Sequence, residues 1–331
     1  MNLHATSGRR RICCACAVFV LAAAGTHAAD DVSGYPAKPV RFVVGQAPGG
    51  ATDIVARLVA SKMTEVLGQN VIVENRTGAA GSIAAEVVAK AAPDGYTILA
   101  VSSSFSINPA LYASLPFDPQ KDLSPVSLLA EAPFLLVVHP AVPAKNVREL
   151  IAMAKAQPDT LTYGSGGNGS SGHLAGALLA NMTGARFSHV PYKGTGPALV
   201  DVVAGQISFM MASVLSSTHY VQQGRLRALA VTGARRVSAL PQLPTVAQSG
   251  VPGYATTTWY GLLAPAATRG TIIDRLAAAA SKAMTTADLR ERLSTDGAEP
   301  LGSSPTAFQK HLAAEILKWR AVVKSTGIVA D

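Results

Sequence analysis

Two glycine-rich loops carry the residues whose type and spacing suit chemistry. In the first, a short apolar run at 40–44 (VRFVV) gives way to Gly45-Gln46-Ala47-Pro48-Gly49-Gly50-Ala51-Thr52-Asp53. The segment that follows places Ile54, Val55, Leu58, Val59, Met63 and Val66 on one helical face. In the second, Leu161-Thr162-Tyr163 breaks into the Gly/Ser tract 164–172, followed by Leu174, Leu178, Leu179 and Met182 at helical spacing. Strand, small-residue loop and helix aim unpaired backbone N–H groups at one point, which is the chemistry of holding an anion. The candidate contacts are Gln46, Pro48, Gly49, Gly50, Thr52 and Asp53 in the first loop, and Ser165, Gly169, Ser170, Ser171 and His173 in the second. Thr52 suits a helix N-cap. Asp53 suits the first helical turn, either as a cap or as a group that braces the loop or orients a ligand.

The second loop contains two overlapping G-x-G-x-x-G patterns, from Gly164 and from Gly167. A dinucleotide site also needs an acid about 20 residues on to hold the ribose, and that region reads Gly184-Ala185-Arg186-Phe187-Ser188-His189. A small anion, or a plain tight turn, fits the loop better. No G-x-S-x-G nucleophile elbow and no H-E-x-x-H pair occurs, so neither hydrolase nor zinc chemistry is signposted. The histidines after the leader, at 139, 173, 189, 219 and 311, are scattered. His173 has a functional case from its place beside the loop, against the plainer reading of a packed, loop-bracing ring. Lys193 and Asp201 are either near the cleft or solvated surface charges.

Hydroxyls collect at other strand ends: Ser102 and Ser103 after the 96–101 run, and Ser213 after Met210-Met211. Loops at the carboxyl ends of parallel strands are where open α/β sheets bind ligands. A cleft of hydroxyls and backbone without poised titrating groups favours binding over turnover.

Strand and helix patterns alternate along most of the chain, as expected of two parallel α/β units. Strands are expected at 40–44, 71–74, 96–101, 187–190, 207–211, 226–232 and 259–265, with one at Tyr163. Helices are expected at 52–67, 82–92, 150–156 and 197–204. A last long helix, with Ser304 as cap and Pro305 in its first turn, buries Phe308, Leu312, Ile316, Leu317 and Val323. The apolar stretch 125–139 suits a strand that leaves one sheet and joins another, with a return somewhere in 226–265. The expected division is residues 29–130 with 232–331 in one lobe, and 131–231 in the other.

The 331 residues are 49% hydrophobic and 15% charged, enough for two cores. Arg9, Arg10 and Arg11, the apolar stretch 12–24 and Thr26-His27-Ala28 form a secretory leader, residues 1–28, cut near Ala28. All three cysteines (Cys13, Cys14, Cys16) fall in it, which removes disulfides and thiol chemistry from the mature chain. The formal net charge of +8 falls by three arginines to +5, without the basic stripe that nucleic-acid binding needs.

Six motifs together resemble one family. They are Pro48-Gly49-Gly50-x-x-Asp53, Glu74-Asn75-Arg76-x-Gly78-Ala79-x-Gly81, Pro93-Asp94-Gly95-Tyr96, Ile107-Asn108-Pro109-x-Leu111-Tyr112, Tyr163-Gly164-Ser165-Gly166-Gly167-x-Gly169 and Val190-Pro191-Tyr192-Lys193-Gly194. Pro244-Thr245-Val246-Ala247 and Trp259-Tyr260-Gly261-Leu262 extend the match over the mature chain. The sequence is similar to the Bug-type periplasmic receptors of tripartite tricarboxylate transporters. The resemblance implies a two-lobed, type II periplasmic-binding-protein α/β fold that closes on a small carboxylate (a dicarboxylate, tricarboxylate, amino acid or aromatic acid). The loops at 46–52 and 165–171 would hold one carboxylate, and Ser102, Ser103 and Ser213 would line the rest. It implies no catalysis, cofactor or metal, a monomer in the periplasm, and the large and small membrane subunits of the transporter as partners. The rivals are a sensor that signals to a membrane partner and a secreted serine-dependent hydrolase. The sequence departs from the family pattern at Gln46, Phe105 and Gln248.

Overall fold

A computed structural model describes residues 1–4, 34–112, 114–237, 240–295 and 297–326; the arginines, cysteines and Ala28 of the expected leader lie outside the described residues. The first run of elements is β1 (Val40–Val44), α1 (Ala51–Leu67), β2 (Val71–Asn75), α2 (Ser82–Ala89), β3 (Thr97–Ser102) and α3 (Ser104–Leu111). A 16-residue strand, β4 (Leu123–Val138), follows. The second run is α4 (Val147–Ala156), β5 (Thr162–Ser165), α5 (Ser171–Thr183), β6 (Ser188–Pro191), α6 (Thr195–Val203), β7 (Phe209–Ser213), α7 (Val214–Gln222) and β8 (Arg227–Val231). The chain ends with β9 (Thr257–Pro265), α8 (Gly270–Thr285), α9 (Ala287–Thr295), β10 (Glu299–Pro300) and α10 (Pro305–Thr326).

The strands run in the order β2-β1-β3-β9-β4-β7-β5-β6, with β8 and β10 also on β4. β1 lies parallel between β2 and β3, and β5 lies parallel between β6 and β7. The two parallel halves meet through β4, which is antiparallel to its neighbours β7, β8, β9 and β10. β4 changes partner midway: residues up to Pro133 pair with β9, and from Phe134 onward with β7. The long apolar stretch is therefore the strand that joins the halves, and the architecture is a two-lobed α/β fold. Twelve of the sixteen positions of β4 are buried and none is exposed, which fits a strand covered on both faces.

Several local expectations need correction. Gly50, not Thr52, is the N-cap of α1; Thr52 sits inside the helix, where its hydroxyl turns back to the preceding loop. Leu317 is 65% exposed, and Trp319 takes the buried place on α10 instead. Ser304 does cap α10, accepting the Ala307 N–H, and Asn146 caps α4 by accepting from Glu149 N–H. Val246, Val251 and Tyr254 pack with Tyr163 and Leu179, and the Tyr254 hydroxyl donates to Ala175 O.

Candidate functional site

The carboxyl ends of β1, β3, β5 and β7 carry the four polar segments singled out from sequence, two on each lobe. The first loop is held from beneath. Asp53 is 3% exposed, and its carboxylate accepts from Gly49 N–H (3.0 Å), Arg57 Nε (3.0 Å) and Asn75 Nδ2 (2.9 Å). Burial pushes its pKa up, but the hydrogen bonds from Arg57, Asn75 and Gly49 outweigh this and hold the carboxyl below its ordinary value. Asp53 is thereby a brace for the loop, and its oxygens are committed. Asn75 Nδ2 also donates to Gln46 O (2.9 Å). The Gln46 side chain spans the cradle: its Oε1 accepts from Thr52 Oγ1 (2.7 Å) and its Nε2 donates to Ser102 Oγ (2.9 Å).

The second loop is braced in the same manner. Ser170 caps α5 by accepting His173 N–H (3.3 Å). The Gly169 N–H donates to His173 Nδ1 (3.2 Å), so that nitrogen carries no proton in this arrangement. The His173 ring stacks on His189 with centroids 4.0 Å apart, and His189 Nε2 lies 2.7 Å from Ser165 Oγ. Burial, and then the neighbouring His173, hold the His189 pKa down at about 3. A serine beside a histidine invites a nucleophilic reading. Ser165 is fully buried, however, and its hydroxyl closes a tight turn with Gly167, donating to the Gly167 carbonyl and accepting from the Gly167 N–H. A base so weak, with another histidine rather than a carboxylate stacked on it, does not activate a hydroxyl.

The lobes touch along two seams. In one, glycines stand too close to the opposite lobe for a side chain: β-carbons placed on Gly50, Gly194 and Gly196 would stand 2.7 Å from Thr195 Oγ1, 2.7 Å from Ala47 N and 2.8 Å from Pro48 O. In the other, Ser171 N–H donates to Ser104 Oγ (3.4 Å), and the Tyr112 hydroxyl donates to Asn168 O (3.3 Å). Thr195 Oγ1 and Asn108 Oδ1, one on each seam, are buried without a hydrogen-bond partner among the described residues.

Between the seams lies a cavity of about 370 Å³, walled by Gly45, Gln46 and 78–80 from the first lobe and by 166–168 and 191–194 from the second, with Tyr112 at one side. That volume falls in the range of small-molecule sites. Gln46, Gly45 and Ala80 also line a smaller cavity of about 20 Å³ that reaches Thr52, Ser102, Phe105 and Asn108, large enough for about one water. Ala79 and Ala80 hold left-handed backbone (φ 45° and 50°), a strained geometry that tends to collect where a ligand is clamped.

Of the residues expected from sequence, Gln46, Thr52 and Ser102 line these cavities. Pro48, Gly49, Gly50, Gly169, Ser170 and Ser171 fall in the loops that form the seams. Ser103 and Ser213 lie deeper, tied to Thr258 Oγ1 (2.9 Å) and to the Tyr260 hydroxyl (3.1 Å). Residues 78–80, Tyr112 and 194–196 are not among the site residues expected from sequence; Lys193, for which a place near the cleft and a surface charge were both open, lines the larger cavity. The glycine-helix start Gly194-Thr195-Gly196-Pro197, a third loop of the same type, was the signal available for 194–196.

Paired α/β lobes joined by a crossing strand, with helix-start loops facing one another across a cavity, make up the architecture of a two-lobed solute-binding protein. Residues 55–328 match the family described as the tripartite tricarboxylate transporter family receptor. The chain belongs to that family, whose members are periplasmic solute-binding receptors of the Bug type. It is 35% identical over 309 residues to protein BugT of Bordetella pertussis, covering 93% of this chain and 95% of BugT. Among solved structures, it is similar to Rpa4515 of R. palustris with adipate (TM-score 0.87, 38% identity, 89% of this chain and 99% of that one). It is also similar to MatC of Rhodopseudomonas palustris with bound malate (TM-score 0.84, 35% identity, 87% and 100%). As a member of this family, the chain is a receptor and not an enzyme. Among the described residues, no helix is long and apolar enough to cross a membrane.

Proposed function

We propose that this protein captures a small organic carboxylate between its lobes and delivers it to the membrane subunits of a tripartite tricarboxylate-type transporter. One observation carries the reading: the cavity between the lobes is walled by backbone of glycine-rich loops from both sides and by no carboxylate side chain. N–H groups from converging loops favour an anion, and no acid opposes it. The adipate and malate held by relatives are ligands of that class.

In this reading Gln46, Thr52, Ser102 and the N–H groups of the two predicted loops contact the carboxylate. Asp53, Ser165 and His173 hold those loops in shape, while Ser103 and Ser213 tie down the cavity floor. The lobes are 29–130 with the segment from β9 onward, and 131 to the start of β9, hinged on β4 near Pro133 and on the entry to β9. Residues 1–28 direct export and are cut near Ala28, leaving a monomeric periplasmic receptor. A thermal-shift screen over mono-, di- and tricarboxylates, amino acids and aromatic acids tests the reading. A ligand at 100 times its Kd raises stability by about 2.7 kcal/mol, so binders stand out. A flat response across the whole panel would overturn it.

A further inference from the structure

The charge inside the cavity between the lobes is unevenly placed. Of the side chains that line it, Lys193 alone carries a full charge; the other polar groups are Gln46, Asn168, Tyr112 and Tyr192. The Tyr192 hydroxyl is bound to Asp201 Oδ2 (2.5 Å), which occupies the nearest acid on α6 with a neighbour on its own lobe. Lys193 is exposed and, among the described residues, meets no carboxylate, whereas Lys62, Lys90, Lys121 and Lys318 each do. It lies between β6 and the Gly194 N-cap of α6, in the loop that walls the cavity. A flexible four-carbon stem ending in a point charge reaches a second anionic group without demanding one geometry.

We propose that Lys193 is the specificity-determining residue of this cavity: its ammonium pairs with the far anionic group of the ligand, so the receptor prefers diacids over monoacids of equal length. The inference rests on the carboxylate reading above and adds to it the residue that discriminates. The near carboxylate is held by backbone N–H groups and amide and hydroxyl side chains, which any carboxylic acid satisfies. Discrimination then falls to the cationic end, because the second carboxylate of a diacid gains a charge-assisted bond there while the methyl end of a monoacid leaves the ammonium unpaired.

The test is calorimetric titration of the mature chain with straight-chain α,ω-diacids of four to eight carbons and with the monoacids of matching length. Three proteins are compared: wild type, Lys193→Gln, and Lys155→Gln, which removes the same charge from exposed α4. The wild type is expected to favour one or more diacids over the matching monoacid by about ten-fold or more, a margin that shrinks as salt rises. That ratio collapses in Lys193→Gln and persists in Lys155→Gln. Equal affinity for both acid types in the wild type, or an undiminished ratio in Lys193→Gln, would overturn the role of Lys193 while leaving the carboxylate reading in place. Binding of neither acid type at any length, with a flat thermal-shift panel, would overturn both.

Discussion

Thr195 Oγ1 lies 2.7 Å from the point where a β-carbon on Gly50 would stand, and the two residues belong to opposite lobes. Gly50 has ordinary extended backbone (φ −73°, ψ 158°), so its lack of a side chain answers to close neighbours: Thr195 across the seam first, then Ala47 O of its own turn, 3.1 Å from the same point. Gly50→Ala is therefore expected to weaken ligand binding and Gly50→Val to abolish it, with the fold of each lobe intact. Calorimetry alongside circular dichroism checks this. Wild-type affinity in a folded Gly50→Val protein would remove the first loop from the closing seam.

Asp53→Asn is expected to act on stability first and on binding second. The substitution removes a buried carboxylate that accepts from Gly49, Arg57 and Asn75, at a cost of about 1–3 kcal/mol. Because the folded-state pKa lies below the unfolded value, this contribution is complete above about pH 4 and is lost as pH falls through the folded pKa. Denaturant melts of wild type and variant should thus differ at neutral pH and converge in strong acid. A constant difference at all pH values would show that the charge is not what braces the loop.

His189 sets a different window. Its folded pKa of about 3 lies below the ordinary histidine value near 6.5, so between those limits the unfolded chain binds the extra proton. Stability is therefore expected to fall as pH drops from about 6.5, before carboxylates such as Asp53 begin to titrate. His189→Phe keeps an aromatic ring against His173 and Tyr163 but has nothing to protonate. The melting temperature of that variant should decline less between pH 6.5 and pH 4 than that of the wild type; parallel curves would count against the buried neutral imidazole.

Leu174 of α5 is 1% exposed and packs in one cluster with Ile107 and Leu111 of α3 and with Trp319 and Val323 of α10. An apolar side chain of the second lobe is thus buried among helices of the first. Leu→Ala changes at such sites cost about 2–5 kcal/mol, and here the loss falls on the lobe-to-lobe arrangement rather than on either core. Leu174→Ala is expected to weaken ligand affinity by about ten-fold or more without touching ligand, and to enlarge the radius of gyration of the unliganded protein in solution scattering. Unchanged affinity and scattering would mean that the cluster plays no part in closure.

The sequence by itself determined much of this protein. Alternating apolar runs and capped helices specify the two α/β units, because period and caps are local properties. The stretch 125–139 showed its role through length, two apolar runs split by Glu131-Ala132-Pro133 making one extended segment long enough to leave one sheet and join another. Both Gly/Ser loops were legible because a strand that breaks into small residues before a helix has one common use. The division of labour within those loops was not. For Asp53 and His173 a linear reading leaves both a bracing and a ligand role open and sets Ser165 among the ligand contacts, and only the structure shows Arg57, Asn75, His189 and Gly169 taking up their polar atoms. Which loops face one another was likewise decided by tertiary structure. The meeting of Gly50 with Thr195 and of Ser104 with Ser171 joins residues 145 and 67 positions apart through the path of β4, and side-chain periodicity carries no information about contacts across a crossing strand.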